Sequence, residues 1–230
     1  MRRAVSGLSA TRLTRRSERA QVTISATIAF TARWLVPRVA NFQLLHPEVD
    51  LQLHASDEPV DLRTGGADLA IRYGTGPYPG FDAELLFADE FAPVANPMLG
   101  VSSPADLARV PLIEFEWRRP NPHNPTWASW FAAAGLAESS GQARLRFSDE
   151  SHAIQAAVAA QGVALVSLAL VDDEFSAGRL VRLFGPTVPG YAHHLLRRAD
   201  SASTPAAAAA AQWLLSEARK VGRLASTGAR

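Results

Sequence analysis

Three short stretches carry side chains suited to holding a small polar molecule. Ser25–Phe30 offers the Thr27 hydroxyl, the small Ala29, and backbone N–H groups through Ile28 and Phe30, a set that suits a carboxylate or another anion. The Ser25 and Thr27 hydroxyls serve equally well as helix caps. Ser148, Asp149, Glu150 and Ser151 make a second polar turn, again of capping types. Arg72 and Tyr73 lead into a third, Arg72–Gly76, where the guanidinium suits a bidentate contact to an anionic ligand or an ion pair inside the protein. Tyr191 and Trp117 each pair an apolar ring with a polar tip, so they suit a cavity wall as well as ordinary packing.

These are binding chemistries. The sequence has no G-x-S-x-G elbow, no glycine-rich phosphate loop and no histidine pair at helical spacing. His193 and His194 are adjacent on an expected strand, so they face opposite sides and cannot chelate together. No acid pair is marked out for proton transfer. With no cysteine, disulfides and thiolate metal sites are excluded. No catalytic residue, metal site or cofactor is expected.

The elements that must position these residues alternate. Val22–Thr27 reads as a strand. Leu35, Val39, Phe42 and Leu45 fall on one face of a helix over Leu35–Leu45, with Ile28–Trp34 left as loop or a distorted first turn. Asp50–Ala55 is a strand, Val60–Thr64 a short helix and Asp68–Tyr73 a strand. Strand, helix, strand in this order is the pattern of parallel crossover units. Glu84–Asn96 is extended and interrupted by Pro93, which suits a connecting strand rather than a central one. A second unit follows: helix Ser103–Arg109, strand Leu112–Trp117, helix Thr126–Ala134, strand Ala143–Phe147, a helix from Asp149 or Ser151 to Gly162, and strands Val163–Ser167, Leu180–Phe184 and Tyr191–Arg197. A last helix, Thr204–Arg219, opens on Thr204 and Pro205.

Charge separates the ends. Residues 1–20 hold Arg2, Arg3, Arg12, Arg15, Arg16 and Arg19 against the single acid Glu18, so the rest of the chain is net negative although the total is +1. Without aromatic or recognition-helix residues beside it, the basic end reads as a solvated helix end. No apolar run reaches the length of a membrane span, and no secretory signal is recognisable.

Phe30–Phe42 (FTARWLVPRVANF), His46–Asp50 (HPEVD) and Asp68–Gly74 (DLAIRYG) resemble the effector-binding domain of LysR-type transcriptional regulators, in the branch of the glycine-cleavage activator and the β-lactamase regulators. Trp127–Gly135 and Ala156–Val166 continue the likeness, and Thr11–Arg19 resembles the end of the linker helix that precedes this domain. The resemblance implies an α/β fold of two Rossmann-like lobes joined by two crossover strands, like type 2 periplasmic binding proteins. It implies a linker remnant over 1–20, one lobe from 21–95 plus 192–225, a second from 96–191, and a disordered tail at 226–230. The first two polar turns then face each other across a cleft between separately folded sheets. The implied function is the sensing of a small-molecule effector, in the cytoplasm, by a homodimer or by a tetramer of the full-length protein. Its pairing would set Val36–Ala55 against Ser151–Gln161 of a second copy. DNA contact is expected only through a winged helix-turn-helix that this sequence does not contain. A solute-binding protein of a transport system is the alternative on the same fold.

Overall fold

The computed structural model describes residues 19–58, 61–62, 65–199 and 203–227, with side chains through 220. Residues 1–18 of the expected linker remnant and most of the Val60–Thr64 helix lie outside these residues, and Ala20 of that remnant opens the first strand. Nine strands are present among them: β1 (Ala20–Ala26), β2 (Val49–Ala55), β3 (Leu69–Gly74), β4 (Phe81–Ala95), β5 (Leu112–Phe115), β6 (Arg144–Phe147), β7 (Val163–Ser167), β8 (Val181–Arg182) and β9 (Val188–Arg198). Their order is β2-β1-β3-β9-β4-β7-β5-β6, with β8 beside β4. β1 is parallel to β2 and β3, and β5 is parallel to β6 and β7. Between these two parallel groups run β4 and β9, antiparallel to each other and to their outer neighbours β7 and β3.

This is the expected two-lobed α/β architecture with two crossover strands, but the sheets are not separate. The 15-residue β4 and the 11-residue β9 pair with one another and with each parallel group, so the ladder runs unbroken from β2 to β6. Register shifts in β4 between Leu85 and Phe87 and between Ala88 and Glu90 interrupt it locally. Such bulges bend a strand and re-aim side chains. β4 is both connecting and central. Pro93 pairs with Leu165 of β7, and its carbonyl faces the other side, where it accepts the Leu183 N–H in the gap between the last β9 pair at Phe91 and the first β8 pair at Val94.

Helix begins earlier than the apolar spacing indicated. Residues 28–45 are helical throughout: α1 (Ile28–Phe30), a π segment (Thr31–Leu35), a 3-10 turn (Val36–Arg38) and α2 (Val39–Leu45). Pro37 has no N–H to offer an α-helical bond, and the π and 3-10 turns reset the ladder around it. Thr27 caps the start, its Oγ1 accepting the Phe30 N–H. In the second group, α3 (Trp127–Ala134) runs from a Thr126 cap to the left-handed Gly135, and α4 (Glu150–Val158) from an Asp149 cap. Gly162 does not end α4. Ala160 takes the positive φ, whereas a Cβ on Gly162 would stand 2.3 Å from the Pro111 carbonyl oxygen where β5 and β7 converge. α5 (Asp172–Ser176) follows β7, and α6 (Pro205–Thr227) runs past the expected Arg219, so the tail expected from 226 starts inside it.

The core follows these pairings. Phe30, Trp34, Ile24, Ile71 and Leu195 pack with Trp213 and Leu214 of α6, while Trp127, Trp130 and Phe131 of α3 pack on Leu112, Leu165 and Phe91. Each indole N–H of Trp127 and Trp130 is satisfied by a backbone carbonyl, that of Ile113 or Pro186.

Candidate functional site

In open parallel sheets, side chains that follow the carboxyl ends of strands gather where a ligand can reach them. Here six such ends converge. Thr27 and Ala29 follow β1, Ser56 and Asp57 follow β2, Tyr73 and Gly74 end β3, Phe115 to Trp117 leave β5, Ser148 to Glu150 leave β6, and Leu170 follows β7. They line one cavity of about 670 Å³, within the size range of small-molecule sites.

Of the twelve residues singled out from the sequence, Thr27, Ala29, Arg72, Tyr73, Trp117, Ser148, Asp149, Glu150 and Tyr191 line this cavity. Ile28, Phe30 and Ser151 do not. Ile28 gives its N–H to Asp57 Oδ1 at 3.2 Å, Phe30 is wholly buried against Trp34, and Ser151 turns its hydroxyl back onto Asp149. The helix start at Thr27 is thus already supplied with two acceptors, Asp57 and Thr27 itself, and its readiness for an outside anion is reduced accordingly.

The wall is aromatic. Tyr73 stacks on Trp117 with ring centroids 6.1 Å apart and meets Tyr191 edge-on at 5.4 Å. Trp117 Nε1 donates to the Pro125 carbonyl, and Tyr191 Oη donates to Asn124 Oδ1 at 3.2 Å, so both rings are fixed in place. Tyr73 Oη accepts the Tyr191 N–H at 2.9 Å. Burial, helped by Asp89, pushes the Tyr73 hydroxyl far above its ordinary range. It stays neutral, with a proton to donate.

The floor is acidic. Asp89, from the bulged part of β4, accepts the Ser167 hydroxyl at 2.8 Å, and Glu150 Oε1 accepts the Ser167 N–H at 2.7 Å. Both acids are buried. Burial pushes the Glu150 carboxyl up to about 8; the Ser167 N–H opposes this, and the negative Asp89 and Asp149 add to it. His193 lies beside them, Nε2 3.6 Å from Asp89 Oδ2, its ring packed among Phe30, Tyr73 and Phe87. His194 faces the other side, onto Tyr78, as alternation required. Arg72 reaches Ser25 Oγ at 3.4 Å, and burial lowers its pKa while leaving it charged.

At the mouth, Arg118 pairs with Glu58, joining the loop after β5 to that after β2. Deeper, Arg33 bonds the Ser151 carbonyl at 2.7 Å and Glu174 at 3.3 Å, linking the first helix to α4 and α5. The sequence reading missed Ser56 and Asp57, although the strand-end rule that found Thr27 applies to them equally. It missed Asp89 and His193 because their burial arises from the pairing of β3, β9 and β4. Among the described residues no group of His, Asp and Glu is arranged to hold a metal, and no helix is long and apolar enough to cross a membrane.

Comparison with known proteins agrees with this geometry. The family pattern of the LysR substrate binding domain matches residues 15–219. The glycine cleavage system transcriptional activator of Escherichia coli (strain K12) is 34% identical over 213 residues, covering 90% of this chain and 68% of that protein. The HTH-type transcriptional activator AmpR of Pseudomonas aeruginosa is 33% identical over 197 residues, 84% of this chain and 64% of that protein. The effector domain of AmpR from P. aeruginosa superposes with a TM-score of 0.70 at 32% identity, covering 89% of this chain and 99% of that one. The regulatory domain of CrgA from Neisseria meningitidis, at 20% identity and a TM-score of 0.65 over 86% of this chain and 98% of that one, shares the fold. The chain therefore belongs to the LysR substrate-binding domain family, the effector-binding domains of LysR-type transcriptional regulators.

Proposed function

We propose that this chain senses a small polar metabolite in the cavity between its two lobes and passes the result on as a change in the angle between them. The observation that carries this reading is the single cavity lined from both parallel groups, by Thr27, Arg72 and Tyr73 on one side and Trp117, Ser148 and Asp149 on the other. A ligand that touches both sides favours one interlobe angle by its difference in affinity for the two states. The lobes divide at 21–95 with 192–225, and 96–191. The role is regulatory rather than enzymatic, and its setting is the cytoplasm. DNA contact belongs to a helix-turn-helix domain of the kind named in the AmpR relatives.

Pairing with a second copy accounts for apolar side chains left on the first helix. Val36, Leu44 and Leu45 are exposed, Leu44 by 82%. They lie in the segment expected to pair with residues 151–161 of the partner.

A thermal-shift screen of a metabolite library tests the sensing role, because a ligand stabilises the folded state by mass action. Hits should change Trp117 fluorescence, and Thr27→Ala or Arg72→Ala should weaken them. Hits that stabilise the chain with no response from any of these three residues would place the ligand elsewhere and end this reading of the cavity.

A further inference from the structure

We propose, on the reading that the cavity senses a metabolite, that its floor is a subsite for a primary ammonium group, held by the carboxylates of Asp89 and Glu150 beside the rings of Tyr73 and Trp117. Buried acids are seldom left without a cation. Asp89 is 4% exposed and Glu150 9%; among the described residues neither is paired with an arginine or lysine, and the base beside Asp89 is His193, Nε2 3.6 Å from Oδ2. The arginines that line the same cavity do not neutralise them: Arg72 bonds Ser25 and Arg118 pairs with Glu58.

A separate observation points the same way. The His193 side chain is 5% exposed and lines this cavity, but its Nε2 has no hydrogen-bond partner. Nε2 stands 3.6 Å from Asp89 Oδ2, so a polar atom with an unmet hydrogen bond lies directly beside the acids. An ammonium group has three protons to donate, and the two carboxylates accept from it. Tyr73 and Trp117 add ring faces, which attract a cation and do nothing for an anion. An anionic group on this floor would meet two carboxyls. A neutral one would leave the buried charge uncompensated. Arg72 and Arg119, which line the same cavity, suit a carboxylate at the ligand's other end, which makes an amino acid or a short peptide the fitting class.

Arrival of the ammonium also changes protonation. Glu150, held protonated by burial and by the neighbouring charges of Asp89 and Asp149, gives up its proton to solvent when the cation supplies the missing charge. Tyr73 remains neutral.

Isothermal titration calorimetry with amino acids and dipeptides, each against its N-acetyl form, tests the proposal. N-acetylation removes the ammonium charge and should weaken binding about tenfold or more. Asp89→Asn and Glu150→Gln should each cost a similar factor. Titrations in two buffers of different ionisation heat should reveal a proton released by the native chain and none by Glu150→Gln. N-acetyl compounds binding as tightly as free amines, or a panel in which no amine binds, overturns the proposal. In the first case, quenching of Trp117 would leave the sensing role standing; the sensing role itself falls only with the wider library screen. Should either variant fail to fold, the N-acetyl comparison on the native chain still decides.

Discussion

Glu150→Gln should make the protein more stable at alkaline pH, contrary to the usual cost of altering a buried, hydrogen-bonded residue. The folded state holds the Glu150 proton up to about pH 8, whereas the ordinary carboxyl loses it near 4.5. Between those values the folded chain binds more protons than the unfolded chain, so stability falls as pH rises. The loss begins above the unfolded value and is complete above about 8. At about 1.4 kcal/mol per pH unit, that window gives a ceiling of ~5 kcal/mol. The realised figure is smaller, because the cavity is open to water on one side and a rotated carboxylate recovers some hydration. Glutamine keeps an oxygen for the Ser167 N–H and carries no proton to lose. Urea denaturation of both proteins from about pH 5 to pH 8.5 measures the effect, and the difference between them removes the titration of the six histidines. The native chain should lose a few kcal/mol relative to the variant across this range. Parallel pH profiles would mean that Glu150 ionises freely in the fold, and the account of an unpaired acidic floor would be wrong.

Other perturbations follow from the same geometry. Gly162→Ala places a methyl against the Pro111 carbonyl, a backbone atom that already accepts the Val163 N–H, and should cost about 1–3 kcal/mol in a denaturant melt. Arg33→Ala removes the bonds to Ser151 and Glu174; Glu174 retains Arg179, so the loss should be about 1–2 kcal/mol, and none at all would show the link to be slack. Leu44→Glu should shift a dimer toward monomer in sedimentation velocity with little change in the melting temperature of the monomer, since this side chain is 82% exposed.

Local rules located most of the strand ends and caps. Thr27 was legible because a hydroxyl at an N-cap does its work within three residues. Asp149 was legible for the same reason. Side chains that follow a strand end were therefore placed near the cavity without any knowledge of the sheet order. Phe30 and Ser151 sit in the same short segments as residues that do line it, and only the direction of each helix turns them away. Trp34 and the helical stretch around it were obscured by Pro37, whose local meaning is a helix start; the π and 3-10 turns that accommodate it are paid for by burying Trp34 and Leu35. Asp89 was the hardest to see. In sequence it is one acid in an extended run, and nothing local distinguishes it from the exposed Glu90 beside it. Its burial is set by β9 on one side and β7 on the other.

The unbroken ladder narrows where motion between the lobes can arise. Two parallel groups on separate sheets would swing about their connections, but here β4 and β9 are hydrogen-bonded to each other through the junction, and smooth ladders resist bending. The irregular places are the shifts that flank Phe87 and Asp89. Asp89 is bonded to Ser167 of β7 and stands beside His193 of β9, so the stretch of irregular register carries the acid on the cavity floor. The mouth pair Arg118–Glu58 is exposed on both sides and contributes little to holding the lobes together. The Arg33 contacts with Ser151 and Glu174 are more buried and hold the helices of the two lobes together. A cation placed against Asp89 and Glu150 would act beside the irregular register of β4, between an exposed ion pair and a more buried one.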